Sequence, residues 1–241
     1  MRTKKTDFNS SIMKKDYYPF FERVFYRPIA NFLTPKIALF FRSPTMLNVL
    51  GFLIGILGIY MIGFGDYWCR VSGAGILLIS YIFDCIDGQL ARGFKMENGF
   101  GALLDTSLDS IKESLIFFAL AWSYYSQTND YYIFLYLLIV LFAQRMFGRT
   151  LPRYQLLFEV GVEKIKNNTL LEFPKLLRPI AFLFSESYRS GTIWVIVFLG
   201  VISNQIKLTF VYFIVVIFSL FIFLLIKAYT RSKKNGQKFT A

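Results

Sequence analysis

The 241-residue chain contains no histidine and only two cysteines, Cys69 and Cys85. Without histidine it can build neither a Ser-His-Asp triad nor an imidazole metal site. The two cysteines are sixteen residues apart, which corresponds to about 24 Å along a helix axis, so we do not expect a disulfide. Met1–Ser11 is polar and no apolar segment with a small-residue cleavage site follows, so we expect no signal peptide.

Charged residues are also scarce: they make up 17% of the chain, whereas 55% is hydrophobic and 19% aromatic. This composition is typical of a membrane protein rather than of a string of soluble domains. Six stretches with few charges predict membrane spans: Thr45–Gly65, Val71–Arg92, Phe100–Tyr125, Tyr131–Arg149, Ser190–Asn204 and Leu208–Tyr229. We therefore predict an all-α integral membrane protein with six transmembrane helices.

The segment Tyr17–Arg42 has aromatic and aliphatic residues at helical spacing, with Pro28 and Pro35 interrupting the run. It predicts an amphipathic helix, or a pair of short helices, that either lies in the membrane interface or packs beneath the bundle. The expected organisation is a cytoplasmic arm with this interfacial helix over 1–42, a six-helix membrane domain over 43–230, and a basic cytoplasmic tail over 231–241.

Lysine and arginine concentrate in the amino-terminal arm, in the second-to-third and fourth-to-fifth loops, and in the tail. By the positive-inside rule, both termini should be cytoplasmic, with an even number of spans. These basic segments account for most of the net charge of +12, and they attract anionic lipid headgroups. Since no recognisable nucleic-acid motif accompanies the charge, we expect membrane lipids rather than nucleic acid as partners.

Four aspartates lie inside two of the apolar stretches: Asp84, Asp87, Asp105 and Asp109. A charge at bilayer depth costs roughly 2.5–3.5 kcal/mol, so such residues need a cation or water. On helices, the first two share one face and the last two share another, and the two faces can converge. Either some carboxyl groups are protonated, or about two divalent cations neutralise them; oxygen ligands favour Mg²⁺ or Mn²⁺.

Small residues and one arginine accompany the aspartates. Gly88 follows Asp87 directly, and Gly101 lies one turn before the third aspartate, so a bulky group can approach both helices. Arg92, beside Ala91, offers a fork of donors that suits phosphate oxygens. Metal and phosphate ligands together predict a site for a nucleotide diphosphate, which should open at the cytoplasmic end where Arg92 lies.

The aspartates belong to a pattern that resembles, at every position, the signature of the CDP-alcohol phosphotransferase (CDP-alcohol phosphatidyltransferase) family: Asp84-x2-Asp87-Gly88-x2-Ala91-Arg92-x8-Gly101-x3-Asp105-x3-Asp109. The resemblance implies a metal-dependent transferase of phospholipid biosynthesis, which moves the phosphoalkyl half of a CDP-linked alcohol onto an acceptor hydroxyl and releases CMP. It further implies that the four aspartates hold two divalent ions, that Asp109 is the general base, and that the protein is a homodimer. These expectations place the catalytic domain in 43–230.

A weaker resemblance extends upstream to Pro44-Thr45-Met46-Leu47-Asn48, where family members often carry Pro-Asn-x-x-Thr beside the nucleotide. Thr45 and Asn48 stand here in exchanged places. The candidate nucleotide- and phosphate-binding residues are Thr45, Asn48, Gly88, Ala91, Arg92 and Gly101.

Three arginines recur every four residues near the cytoplasmic end of the fourth span: Arg145, Arg149 and Arg153, although Pro152 can end the helix before the last. They either bind a phosphate on the acceptor or only determine topology. We favour transfer of a phosphatidyl group from CDP-diacylglycerol to a polar alcohol, which is phosphorylated if the arginines bind it. The alternatives are a phosphotransferase of the CDP-choline, CDP-ethanolamine or CDP-inositol type with another acceptor and, of another class, an ion-coupled transporter.

Overall fold

The computed structural model describes residues 20–157 and 190–239. Within these ranges, a π-helical turn at Glu22–Tyr26 is followed by seven α-helices: α1 (Arg27–Ile37), α2 (Pro44–Phe64), α3 (Tyr67–Gly93), α4 (Gly99–Thr128), α5 (Ile133–Leu157), α6 (Ser190–Ile202) and α7 (Ile206–Phe239). The described part of the chain contains no strand, which confirms the predicted all-α class.

Three of the described helices are long and apolar enough to cross a membrane: α2, α3 and the Ile206–Phe223 part of α7. The apolar segments Ile133–Met146 and Gly191–Ile202 are shorter. Helix α4 has 30 residues but carries aspartate, serine and lysine side chains along its length. The protein is a helical membrane protein as predicted, and the count of six spans stays a prediction.

The described helices form two compact units. The first contains the π-helical turn, α1 to α4 and α6; the second contains α5 and nearly all of α7. Within the first unit, α2 packs against both α3 and α4, and α3 also contacts α1 and α6. All four aspartates lie in this unit, because they belong to α3 and α4.

Helices α2 and α3 meet at a face of small residues. A Cβ atom added to Gly58 would lie 2.7 Å from the Gly73 carbonyl oxygen, and one added to Gly73 would lie 2.6 Å from the Gly58 carbonyl oxygen. One turn before Asp84, the Ser80 hydroxyl donates a hydrogen bond of 2.7 Å to the Gly51 carbonyl oxygen. Small residues let membrane helices approach to backbone contact, and this contact fixes α3 where its aspartates begin.

Helix α1 attaches to α3 through polar side chains. Thr34 is buried and donates to the Gln89 side-chain oxygen at 2.6 Å, and the Gln89 amide donates to Asn31 at 2.8 Å. The opposite side of α1 exposes Phe32, as expected for a helix at the membrane interface. The predicted interruption at Pro35 is wrong, because α1 runs through this residue. Pro28 lies in the first turn of α1, directly after the π-helical turn. Residues 17–19 of the predicted segment lie outside the described residues.

Replacing Gly58 by alanine should lower the melting temperature, because the new Cβ must push the α3 backbone away. Overpacking of a tight contact costs about 1–3 kcal/mol, and thermal unfolding in detergent measures it. Gly75→Ala on α3 is the matched control, since nothing lies within 4 Å of its added Cβ, and it should leave the melting temperature unchanged or slightly higher. Equal effects of the two substitutions would show that the backbone contact is not what holds α2 to α3.

Candidate active site

Helices α3 and α4 bring three aspartates together. Carboxylate oxygens of Asp84, Asp105 and Asp109 all lie within 4.8 Å of one another, which is close enough for one hard cation to bind all three. Asp87, one turn further along α3, is only 6% exposed, and its Oδ2 atom has no hydrogen-bond partner among the described residues. A buried carboxylate oxygen without a donor is costly, so the arrangement fits a divalent metal with oxygen ligands.

Two side chains that the sequence does not single out as ligands orient this cluster. The Lys112 ammonium lies 2.8 Å from Asp109 Oδ1 and 3.9 Å from Asp84 Oδ1. Asn48, which we predicted beside the nucleotide, donates from Nδ2 to Asp105 Oδ1 at 2.6 Å. Only its position in the sequence hints at this role of Lys112: it lies one helical turn after Asp109, at the start of the apolar half of α4.

A cavity of about 590 Å³ opens beside the cluster, within the range typical of ligand sites. Asp87 and Asp105 line it, together with all six residues predicted to bind nucleotide and phosphate: Thr45, Asn48, Gly88, Ala91, Arg92 and Gly101. Asp84 and Asp109 are not among its lining residues. The structure therefore places one pair of aspartates at the cavity wall and brings the other pair together next to it.

Part of the cavity wall carries groups that can bind an anion. Arg92 has two buried guanidinium nitrogens, Nε and Nη2, without a hydrogen-bond partner in the described part of the chain. Helix α2 begins at the Ser43 cap and α4 at the Asn98 cap, and both caps line the cavity. Helix N-termini carry partial positive charge and bind phosphate groups. Two unpartnered nitrogens of Arg92 and two helix N-termini are therefore available to bind a phosphate in the cavity.

Neither signature glycine packs against the backbone of another helix. A Cβ added to Gly88 would have Arg92 Nη1, 3.6 Å away, as its nearest neighbour, and one added to Gly101 would have Asn98 Oδ1 at 3.3 Å. Gly58, by contrast, touches backbone. Since the protein itself leaves the space beside Gly88 open, the missing side chain keeps the cavity accessible to a ligand.

The three acceptor candidates belong to α5, in the second unit. Arg145 is exposed. Helix α5 continues through Pro152 to Leu157, so Pro152 does not end the helix before Arg153. Positions 145, 149 and 153 thus lie on one continuous helix at four-residue intervals. The side chains of Arg149 and Arg153 lie outside the described residues.

Together these features define a class: a helical membrane protein with a carboxylate cluster beside a cavity that is lined by an arginine and two helix N-termini. Residues 41–240 match the CDP-alcohol phosphatidyltransferase family, and the chain belongs to this family. This confirms the resemblance inferred from the aspartate signature.

Two curated proteins are similar to part of the chain. A protein of Aquifex aeolicus (strain VF5), described as uncharacterized, is 27% identical over 124 residues, which are 50% of this chain and 57% of that protein. An archaetidylinositol phosphate synthase of Pyrococcus horikoshii is 34% identical over 80 residues, which are 33% of this chain and 40% of the synthase. The chain thus spans about half the length of the curated relatives it matches.

Replacing Gly88 by valine should weaken the binding of CDP in the presence of Mg²⁺ by about tenfold or more, a loss of at least about 1.4 kcal/mol. The valine side chain would fill cavity space with only ordinary contact to Arg92, so the melting temperature should stay the same. Isothermal titration measures the affinity. Gly75→Val, on the same helix, is the control and should bind CDP like the wild type; unchanged affinity in Gly88→Val would place the nucleotide elsewhere.

Proposed function

We propose that the protein is a metal-dependent phosphotransferase of phospholipid biosynthesis, which transfers a phosphatidyl group from CDP-diacylglycerol to a polar alcohol and releases CMP. The observation that carries this proposal is the pairing of the 4.8 Å carboxylate cluster with a cavity that holds unpartnered guanidinium nitrogens of Arg92. Membership in the family, whose members use CDP-linked donors, supports it.

The four aspartates would hold Mg²⁺ or Mn²⁺, and we propose two ions. Bound metal supplies charge that stabilises the pyrophosphate and makes CMP a better leaving group. Asp84, Asp87 and Asp105 are proposed as ligands, and Asn48 orients Asp105 through its hydrogen bond. Orientation of this kind tunes both the position and the affinity of a metal site.

The remaining residues bind and orient the donor. Arg92 and the N-termini of α2 and α4 are proposed to hold phosphate oxygens, as their charge favours. Thr45, Ala91 and the two signature glycines line the space beside them, which leaves room for the nucleotide. Thr45 and Asn48 are also proposed to contact the nucleotide. In this chain threonine comes first and asparagine second, the reverse of the order that family members often have.

In the proposed reaction, the acceptor hydroxyl oxygen attacks the phosphorus that carries diacylglycerol. The bond between this phosphorus and the oxygen bridging it to CMP breaks, and CMP leaves with the bond's electron pair. Asp109 takes the hydroxyl proton as general base. Asp109 is held by Lys112 at 2.8 Å. Because an aspartate carboxylate is an intrinsically weak base, positioning and electrostatics must supply most of the acceleration.

For the acceptor we propose a phosphorylated alcohol, such as inositol phosphate or glycerol-3-phosphate. Two observations favour it: one of the relatives is named archaetidylinositol phosphate synthase, and α5 carries Arg145, Arg149 and Arg153 at four-residue intervals without interruption. Arginines at this spacing can present donors to one phosphate. We also propose a homodimer with both termini and the active site on the cytoplasmic side, in line with the positive-inside rule.

An ion-coupled transporter is less well supported. A relay of carboxylates would explain the aspartates. It would not need open space beside Gly88, nor two buried guanidinium nitrogens of Arg92 without hydrogen-bond partners among the described residues. The two functions differ in a measurable way, because a transporter moves an ion across vesicles without consuming a CDP-linked lipid.

Purified protein with Mg²⁺ and CDP-diacylglycerol should release CMP when inositol phosphate or glycerol-3-phosphate is added, and not with inositol or serine. Chelation of the metal should abolish release, and Asp87→Asn should reduce it at least about a hundredfold, because a ligand charge is lost. Parallel reactions with CDP-choline or CDP-ethanolamine and diacylglycerol test the alternative phosphotransferase.

Asp66→Asn is the matched control for this experiment. Asp66 caps α3 at the end remote from the cluster, where its side chain accepts from the Cys69 backbone N–H, and asparagine caps helices about as well. It should retain full activity. Full activity in a chelator would refute the metal-dependent mechanism, and turnover of serine would show that the α5 arginines are topology determinants only.

A further inference from the structure

Lys112 is a buried cation inside the acidic cluster. Its side chain is only 4% exposed, with Nζ 2.8 Å from Asp109 Oδ1 and 3.9 Å from Asp84 Oδ1. A lysine is rarely buried to this extent unless it is paired. It lies outside the aspartate signature, so the family pattern gives it no role.

The fold makes room for Lys112 at the glycine face of α2. A Cβ added to Gly55 would lie 3.1 Å from Lys112 Cδ and 2.8 Å from Ser80 Oγ. The aliphatic stem of the lysine therefore passes beside α2 at a position without a side chain. Its ammonium reaches from α4 to Asp84 on α3, so that one cation links the two helices that carry the aspartates.

The charges explain why such a link matters. Four ionised carboxylates would repel one another strongly in a low-dielectric site, and Lys112 offsets one of the four charges. Helices α3 and α4 pack on each other far less than each packs on α2, so Lys112 is a direct side-chain link between the two helices at the cluster. The ammonium pairs with Oδ1 of Asp109, so the other oxygen of that carboxylate is available to a metal ion or a substrate.

We propose that Lys112 is a built-in cation of the acidic cluster: it holds Asp84 and Asp109 together when no metal is bound, orients Asp109, and weakens the binding of divalent ions. It is a positioning residue, since it acts through the two aspartates. The inference rests on the proposed function only in that the cluster binds divalent metal.

The test measures Mn²⁺ binding to purified protein without substrate, by electron paramagnetic resonance of the free ion, and melting temperatures in EDTA and in Mn²⁺. Lys112→Met should bind Mn²⁺ at least about tenfold more tightly, because a unit charge beside the ligands is removed. It should melt lower than the wild type in EDTA and recover in Mn²⁺. Lys112→Arg keeps the charge and should bind Mn²⁺ within about threefold of the wild type.

Arg70→Met is the matched control, because it removes another buried cation of the same unit. Arg70 is 6% exposed and donates to Ser123 at 3.2 Å, and it lies fourteen residues before Asp84 on α3, about 21 Å along the helix. Its substitution should lower the melting temperature equally with and without Mn²⁺. The affinity for Mn²⁺ should not change.

A double variant, Lys112→Met with Asp109→Asn, keeps the proposal testable if the single variant does not fold. It removes one positive and one negative charge, so its melting temperature in EDTA should lie closer to the wild type than that of Lys112→Met. A double variant that melts no higher than the single one in EDTA would overturn the proposed relief of repulsion.

Unchanged or weaker Mn²⁺ binding by Lys112→Met, with equal destabilisation in EDTA and Mn²⁺, would reduce Lys112 to a structural ion pair and overturn the proposal. The proposed function fails separately: if Lys112→Met binds Mn²⁺ more tightly while the wild type releases no CMP from CDP-diacylglycerol, the role of Lys112 stands and the phosphotransferase does not.

Discussion

The backbone contact between α2 and α3 at Gly58 and Gly73 is the constraint on which the rest of the site depends. It lets Ser80 reach the α2 backbone one turn before Asp84. Nearer the start of α2, Asn48 donates to Asp105 on α4. Helix α2 therefore sets the positions of aspartates on both neighbouring helices. Its glycines have no side chains to bury, but they allow close packing of the helix backbones.

This packing creates an unusual balance of charge. Carboxylates of α3 and α4 converge in one place, and the cations that the described chain puts next to them are Lys112 within the cluster and Arg92 at the cavity wall. The ammonium of Lys112 is engaged by Asp109 and Asp84, whereas two nitrogens of Arg92 are unused. Such a site is suited to a divalent metal on its carboxylate side and to a phosphate on its arginine side.

Much of this site follows from helical periodicity. Residues three and four apart share a face, so the spacing from Asp84 to Asp109 predicted that each pair of aspartates shares one face and that the two faces can converge. Gly88, Ala91 and Arg92 share the face of α3 that lines the cavity for the same reason. Thr45 and Asn48, on α2, were predicted from the weaker upstream resemblance instead.

What the sequence did not reveal depends on which helix lies next to which. The bond from Asn48 to Asp105 and the space that Gly55 leaves for Lys112 arise from packing between helices, which periodicity within one helix does not specify. Proline was also misleading: α1 and α5 run through Pro35 and Pro152, because tertiary and membrane surroundings can hold a helix together where one backbone hydrogen bond is missing.

Metal binding by the aspartates is tested most directly by anomalous diffraction from crystals grown with Mn²⁺ and CDP. The predicted result is anomalous density between Asp84, Asp87, Asp105 and Asp109, with the pyrophosphate of CDP against Arg92. Density for CDP in the cavity with no manganese at these carboxylates, or manganese bound at another place only, would contradict a metal-dependent site formed by α3 and α4.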